Sequence, residues 1–336
     1  FLLKTAGKPI AFAKQDVLAA AYTGPAKVFH ENKTLYYEGE LKDGKFDGKG
    51  KLYDEEGNLI YEGEFVKGLP EGNGISYNTF GRIIYKGSFA AGKKSGQGEE
   101  YDALGKLLYR GQFAQDVYSG EGMLFYPGEL IKYEGSFQNG LPGGMGTEYY
   151  LNGEVKYEGN YLAGRYQGYG KLFDTKANLV YEGNFSNGLY AGKGTKYFKN
   201  GFIEYTGDFQ AGQYSGEGIL YHENGARKYE GAFLNGLFNG AGTLYNEDAL
   251  PIYTGNFKDG LFEGLGTITA PDGTVTFIGF FKEGEIDYTA FLGLSGKRVV
   301  EILGDPPAVH LDDSSGEEPS GSLILVYNDY GLALTL

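Results

Sequence analysis

One segment returns along this chain at a fixed spacing, and it leaves little freedom in how the chain can fold. Tyr37-Glu38-Gly39-Glu40-Leu41 recurs as Tyr61-Glu62-Gly63-Glu64-Phe65, and again from Tyr85, Tyr109, Tyr133, Tyr157, Tyr181, Tyr205, Tyr229 and Tyr253. A degenerate copy, Phe277-Ile278-Gly279-Phe280-Phe281, closes the series. Every interval is 24 residues, with no insertion or deletion. A constant period of this size marks a repeat array in which each unit buries its apolar residues against its neighbours.

Counting the first aromatic as position zero, Gly holds position two in all eleven copies. Position four is Phe in nine, with Leu41 and Tyr161 as variants, and position seven is Gly in all but one, where Asp116 stands. Positions eleven and thirteen are Gly in the first ten copies, as at Gly48 and Gly50. Position sixteen is aromatic from Tyr53 to Tyr245 in nine of those ten, with Thr269 as the exception. Gly24, Ala26 and Phe29 fit positions eleven, thirteen and sixteen of a preceding half copy.

The spacing reads as β structure. Positions zero, two and four alternate as ring, Gly, ring, which puts them on one face of a strand. Position seven falls in pairs such as Asn139-Gly140 and Asp259-Gly260, strong hairpin signals because Gly accepts positive φ. A second strand spans positions eleven to seventeen, and a further turn near position twenty leads to the next Tyr. The composition agrees: 58 Gly, 30 Tyr and 23 Phe favour short strands joined by many tight turns. Two strands per copy advance the array by roughly 10 Å, so ten copies make a ribbon on the order of 100 Å. The rings at positions zero, four and sixteen are expected to form its core.

The pattern Tyr-x-Gly-x-Phe-x-x-Gly-x-x-x-Gly-x-Gly resembles the MORN repeat. Where typical MORN units often carry Trp at position four, this chain has Phe, a form that looks bacterial. The resemblance implies an all-β fold, an elongated single-layer antiparallel sheet of consecutive hairpins. It also implies non-enzymatic roles in scaffolding, protein–protein interaction, self-association and membrane-proximal tethering, here at a bacterial cell envelope. The array is expected over residues 23–290, with 1–22 as a leader or N-terminal cap that covers the first sheet edge. Residues 291–336 read as a small C-terminal α/β cap or a truncated module, with a short helix ending at Leu303-Gly304. The chain starts at Phe1 rather than Met, so it reads as a fragment of a longer protein.

Charge narrows the partners. The net charge of −14 opposes nucleic acid and anionic lipid, both of which need clustered Lys and Arg. Seven acids and no base lie between Val299 and Leu336. The run Asp312 to Glu318 lacks the ligand order of a calcium loop and reads as a solvated loop. No Cys is present, and the three histidines, His30, His222 and His310, lack metal-ligand spacing and read as solvated loop residues. The many Gly-x-Gly pairs precede strands rather than helices, which argues against phosphate cradles. No catalytic residue, metal or cofactor is expected.

Position nine is the most informative variable site, holding Phe46, Tyr118, Tyr166, Tyr190, Tyr214, Phe238 and Phe262, interrupted by Pro70, Lys94 and Pro142. Two readings stand: an aromatic row for a glycan, peptidoglycan, peptide or partner sheet, or rings that lock each turn against the next copy. Function then lies among a scaffold or spacer for protein partners or self-association, a polysaccharide-binding module, and an accessory region of a larger enzyme or toxin.

Overall fold

The computed structural model describes residues 9–14, 16, 21–312, 322–328 and 332–335. Most of the leader, and the acidic run from Asp313 onward, lie outside the described residues. Twenty-four strands belong to one open sheet and three more to a second, small sheet. The chain divides into two compact units, one comprising 1–167 with 173–177 and the other 168–172 with 178–336.

Each copy is a hairpin. In the copy at Tyr37 the strands are Leu35–Lys42 and Lys45–Tyr53, and later copies repeat these bounds. Positions six and seven form the two-residue turn, both with positive φ: 52° and 83° at Asn139 and Gly140. Two consecutive positive φ values match the right-handed twist of the flanking strands. The turn keeps this geometry where Ala211 takes position six and where Asp116 replaces Gly at position seven, with φ of 49° and 73°.

The register explains why a tyrosine heads each copy. Gly39 pairs with Gly50, but the next pair is Leu41 with Phe46. Three residues of the second strand therefore bulge past one of the first, and the backbone at position three loses its partner in the hairpin; in the copies at Tyr61, Tyr109, Tyr205 and Tyr253 position three keeps one, and the bulge lies entirely in the second strand. The hydroxyl of Tyr37 donates to the freed Glu40 carbonyl at 2.9 Å. All ten tyrosines at position zero make this bond, at 2.8 to 3.1 Å. The ring crosses the paired glycines to reach it. A Cβ on Gly146 would sit 2.2 Å from the Tyr133 hydroxyl, and one on Gly135 2.5 Å from the Gly146 Cα. Only hydrogen fits between ring and backbone here.

Phe277, at the head of the last copy, has no hydroxyl. There the carbonyl at position three, Phe280, is taken by the backbone N–H of Asp287 at 2.8 Å. The chain departs from the repeat where the tyrosine is no longer needed.

One face of the sheet is the core. Tyr109 meets Phe113 of its own copy edge-on at 5.1 Å and Phe137 of the next at 5.2 Å. Tyr205, Phe209 and Phe233 repeat the arrangement in the second unit. These rings at positions zero and four are buried. The expectation that position sixteen joins them fails. Positions thirteen and fifteen share the face of position zero, as Gly50 with Gly39 and Leu52 with Tyr37, so position sixteen points the other way. There Tyr77 donates to Glu62 at 2.6 Å and Tyr197 to Glu182 at 2.7 Å.

Copies are also stapled at the second turn. From position seventeen, His30, Tyr126 and His222 reach the carbonyls of Tyr53, Tyr149 and Tyr245, one copy ahead. Asn200 and Asn224, at position nineteen, reach Glu223 and Glu247 likewise. The expectation of solvated loop histidines is therefore corrected for two of the three. His30 is 8 % exposed, and only His310 is an exposed residue without such a bond.

Both sheet edges carry non-repeat chain. Strand Ile10–Ala13 pairs with Ala26–Phe29 in parallel. At the other edge Glu285–Ile286 pairs with Phe281 and Lys282. The helix Gly296–Leu303, capped by the Ser295 hydroxyl, then packs with strands Ser322–Tyr327 and Leu332–Thr335 around Phe291, Val299, Leu303 and Tyr327.

Candidate functional site

The seven aromatic residues at position nine lie on the apolar face. Each stacks on the position-zero tyrosine of its own copy. Centroid separations are 3.8 Å for Phe46, Tyr118, Phe238 and Phe262, 3.7 Å for Tyr166, and 3.9 Å for Tyr190 and Tyr214. Interplanar angles stay within 15°. Each ring is thus covered on one side and half-buried. The Tyr118, Tyr166 and Tyr214 hydroxyls donate to Glu100, Glu148 and Glu204. Where Lys94 interrupts the row, its ammonium lies 5.1 Å over the Tyr85 ring and pairs with Glu100. Burial pushes the position-zero phenols upward, to about 12 at Tyr61, Tyr85, Tyr109, Tyr157 and Tyr253.

The opposite face is polar and open. It presents positions one, three, twelve and fourteen above a floor of paired glycine backbone. In the first unit a groove of about 1170 Å³ runs over Lys49, Lys51, Glu62, Glu64, Lys86 and Glu99. A second of about 550 Å³ runs over Glu121, Met123, Glu134, Met145 and Glu158. In the second unit a groove of about 580 Å³ runs over Glu182, Lys193, Thr195, Glu217 and Glu230. None of these grooves is lined by a position-nine ring.

Cross-strand register organises the charge. Position fourteen of one copy lies directly opposite position one of the next, as Lys51 opposite Glu62. Such pairs form ion pairs at Lys27–Glu38 (3.0 Å), Lys51–Glu62 (3.3 Å) and Lys171–Glu182 (3.9 Å), and with reversed sign at Glu99–Arg110 (2.8 Å). The Tyr77 hydroxyl, with Lys51, holds the Glu62 carboxyl below its usual range. Tyr101 and Arg110 do the same for Glu99.

Two features were passed over in the sequence. One is this polar floor, which alternation from position zero points to once the register is known. The other is an aliphatic rim at positions five and eight. Leu69, Val117, Leu141, Leu189, Leu237 and Leu261 are 43 to 52 % exposed at position eight. Their signal was a recurring Leu directly after the turn glycine.

The MORN repeat family matches at ten segments: 37–59, 61–77, 85–103, 109–128, 133–155, 157–175, 181–202, 205–227, 229–248 and 253–275. The chain belongs to the MORN-repeat family. MORN repeats commonly serve as scaffolds for protein or membrane interaction. No curated protein matches. Among solved structures, the selenomethionine-substituted virginiamycin B lyase from Staphylococcus aureus is similar over 77 % of this chain and 85 % of its own. The identity is 10 % and the TM-score 0.15, which bears on neither fold nor function here. Among the described residues no group of His, Asp and Glu could hold a metal ion, and no helix is long and apolar enough to cross a membrane.

Proposed function

We propose that this MORN-repeat chain is a non-enzymatic scaffold that holds protein partners along its polar face. One observation carries the reading: the two faces of the same strands follow different rules. Positions zero, two, four and thirteen repeat almost without change and interlock. Positions one, three, twelve and fourteen change from copy to copy and line open grooves. A face built on rigid backbone with variable side chains above it suits recognition, because its groups are held in place before a partner arrives. The exposed leucine rim beside it adds apolar contact area.

The test places a photo-crosslinking residue at Lys49 or Lys193 on the polar face, and at the exposed turn residue Lys176 as control, in cells that make the protein. A discrete protein adduct is expected from the polar-face positions. It should be lost when a neighbouring floor residue is reversed in charge, as in Glu62→Lys or Glu182→Lys. Equal adducts from Lys176, or adducts indifferent to those reversals, would count against the reading.

A further inference from the structure

At two consecutive rungs of the polar face a position-one acid faces an uncharged residue across the strand. Glu134 lies opposite Met123, and Glu158 lies opposite Thr147. The position-one acids Glu38, Glu62 and Glu182 meet Lys27, Lys51 and Lys171 across the strand, and Glu230, which faces Ile219, pairs with Arg227 of its own strand. Neither Glu134 nor Glu158 takes part in an ion pair among the described residues, although Glu134 accepts a hydrogen bond from Tyr149. Glu121, in the same groove, accepts from the Ser136 hydroxyl, at 2.5 Å, and takes part in no ion pair among the described residues. The one base lining the groove, Arg110, is engaged by Glu99.

The uncharged residues in this groove are informative. The chain has two methionines, and both are here. Met123 stands at position fourteen, where the copies at Tyr37 and Tyr157 carry Lys51 and Lys171, and is half-buried, while Met145 at position twelve is 58 % exposed. A thioether is unbranched and polarizable, and suits adaptable apolar contact better than solvent. The groove of about 550 Å³ thus offers two acid rungs without cations, separated and flanked by soft apolar groups.

We propose that residues 121–158 form the subsite for a basic, amphipathic segment of a protein partner, whose Lys or Arg side chains complete the two open rungs and whose apolar side chains cover Met123 and Met145. This rests on the reading of the polar face as the partner-binding face. Complementary charge sets the sign of the partner. Strand spacing sets its period: rungs one copy apart are two strands apart, about 10 Å. An extended segment rises about 3.3 Å per residue, so its basic residues recur every third position when it runs across the strands. The apolar residues fall between them.

The test uses fluorescence anisotropy with the full chain and a labelled peptide in which Arg alternates with pairs of Leu and Ser. A matched peptide with Glu for Arg is the control. The wild-type chain should bind the Arg peptide and not the Glu peptide. The double variant Met123→Lys/Thr147→Lys repairs both rungs from within, so it should fold and lose affinity by about tenfold or more, as expected for two charge-assisted contacts. Ser186→Lys/Gln213→Lys adds the same two charges at exposed positions of the other unit and should change affinity by less than about threefold, the scale of a screened long-range effect. No binding by wild type, equal binding of the Glu peptide, or equal losses in the two double variants would overturn the proposal. Failure here with discrete crosslinks elsewhere on the face would leave the scaffold reading standing, whereas loss of both would remove it too.

Discussion

The two faces of one sheet behave as different materials, although the same strands make both. On the apolar face, every tyrosine at position zero has its glycine pair and its carbonyl, and copies such as those at Tyr61, Tyr109 and Tyr205 add two edge-on rings. A change there disturbs two copies at once. On the polar face, a side chain meets one or two polar partners, often in solvent. The comparison teaches that stability and selectivity are assigned to opposite sides of each strand, so one can change without the other.

The largest effect should come from closing the gap under a ring. Gly135→Val would drive a side chain into the Gly146 backbone, with the first atom at 2.5 Å. About 4 kcal/mol of local stability should be lost, the upper range for a single substitution. Because neighbours stabilise each other in sequence, the denaturant melt should split into two transitions. A single cooperative melt would place the coupling elsewhere.

Alkali should attack the same face along its whole length. The buried phenols titrate at about 12 in the folded chain at Tyr61 and Tyr85, against 10 when exposed. The folded state therefore holds protons that the unfolded state releases. The stability this supplies is complete below pH 10 and is lost as pH rises through about 12. Unfolding and the growth of phenolate absorbance should coincide in that window. Phenolate growth at pH 10 with the fold intact would show these rings to be accessible.

Two conservative changes separate packing from hydrogen bonding. Tyr229→Phe keeps the ring but orphans the Ala232 carbonyl, which has no partner in the facing strand of its hairpin, and should lower stability by about 1–2 kcal/mol. Tyr161→Phe should do the reverse. Its hydroxyl is buried with no partner at position four, where phenylalanine is the rule, and removing it should raise stability by up to about 1 kcal/mol. Thermal melts of the two variants should move in opposite directions.

The smallest effect should come from the polar face. Lys51→Met breaks an exposed pair with Glu62 and should change stability by less than about 0.5 kcal/mol. A larger loss would mean that the ladder of charges helps to hold the strands, and the division between faces would be less clean.

Much of the fold was readable because the period is constant. Strands, both turns, the glycine positions and the C-terminal helix follow from spacing and turn chemistry. What escaped was the bulge after position two. It shifts the alternation, so that position thirteen faces the core and position sixteen does not, and no side chain announces that shift. The same shift hid the rungs. Met123 and Glu134 are eleven residues apart in sequence, and only the register shows them opposite each other. The bonds of His30 and His222 are not legible in the sequence because their partners are carbonyls, which a pattern of side chains does not record.

The handover from Tyr253 to Phe277 has an evolutionary corollary. Contacts between internal copies reach only to the adjacent copy, so a whole 24-residue unit can be duplicated or deleted there by recombination and leave every interface as it was. The final copy is exempt, because its position-three carbonyl at Phe280 is matched to the Asp287 N–H that follows it. Length is therefore heritable as a count of interchangeable units upstream of one fixed stop, and relatives should differ in how many copies they carry before they differ in how the series ends.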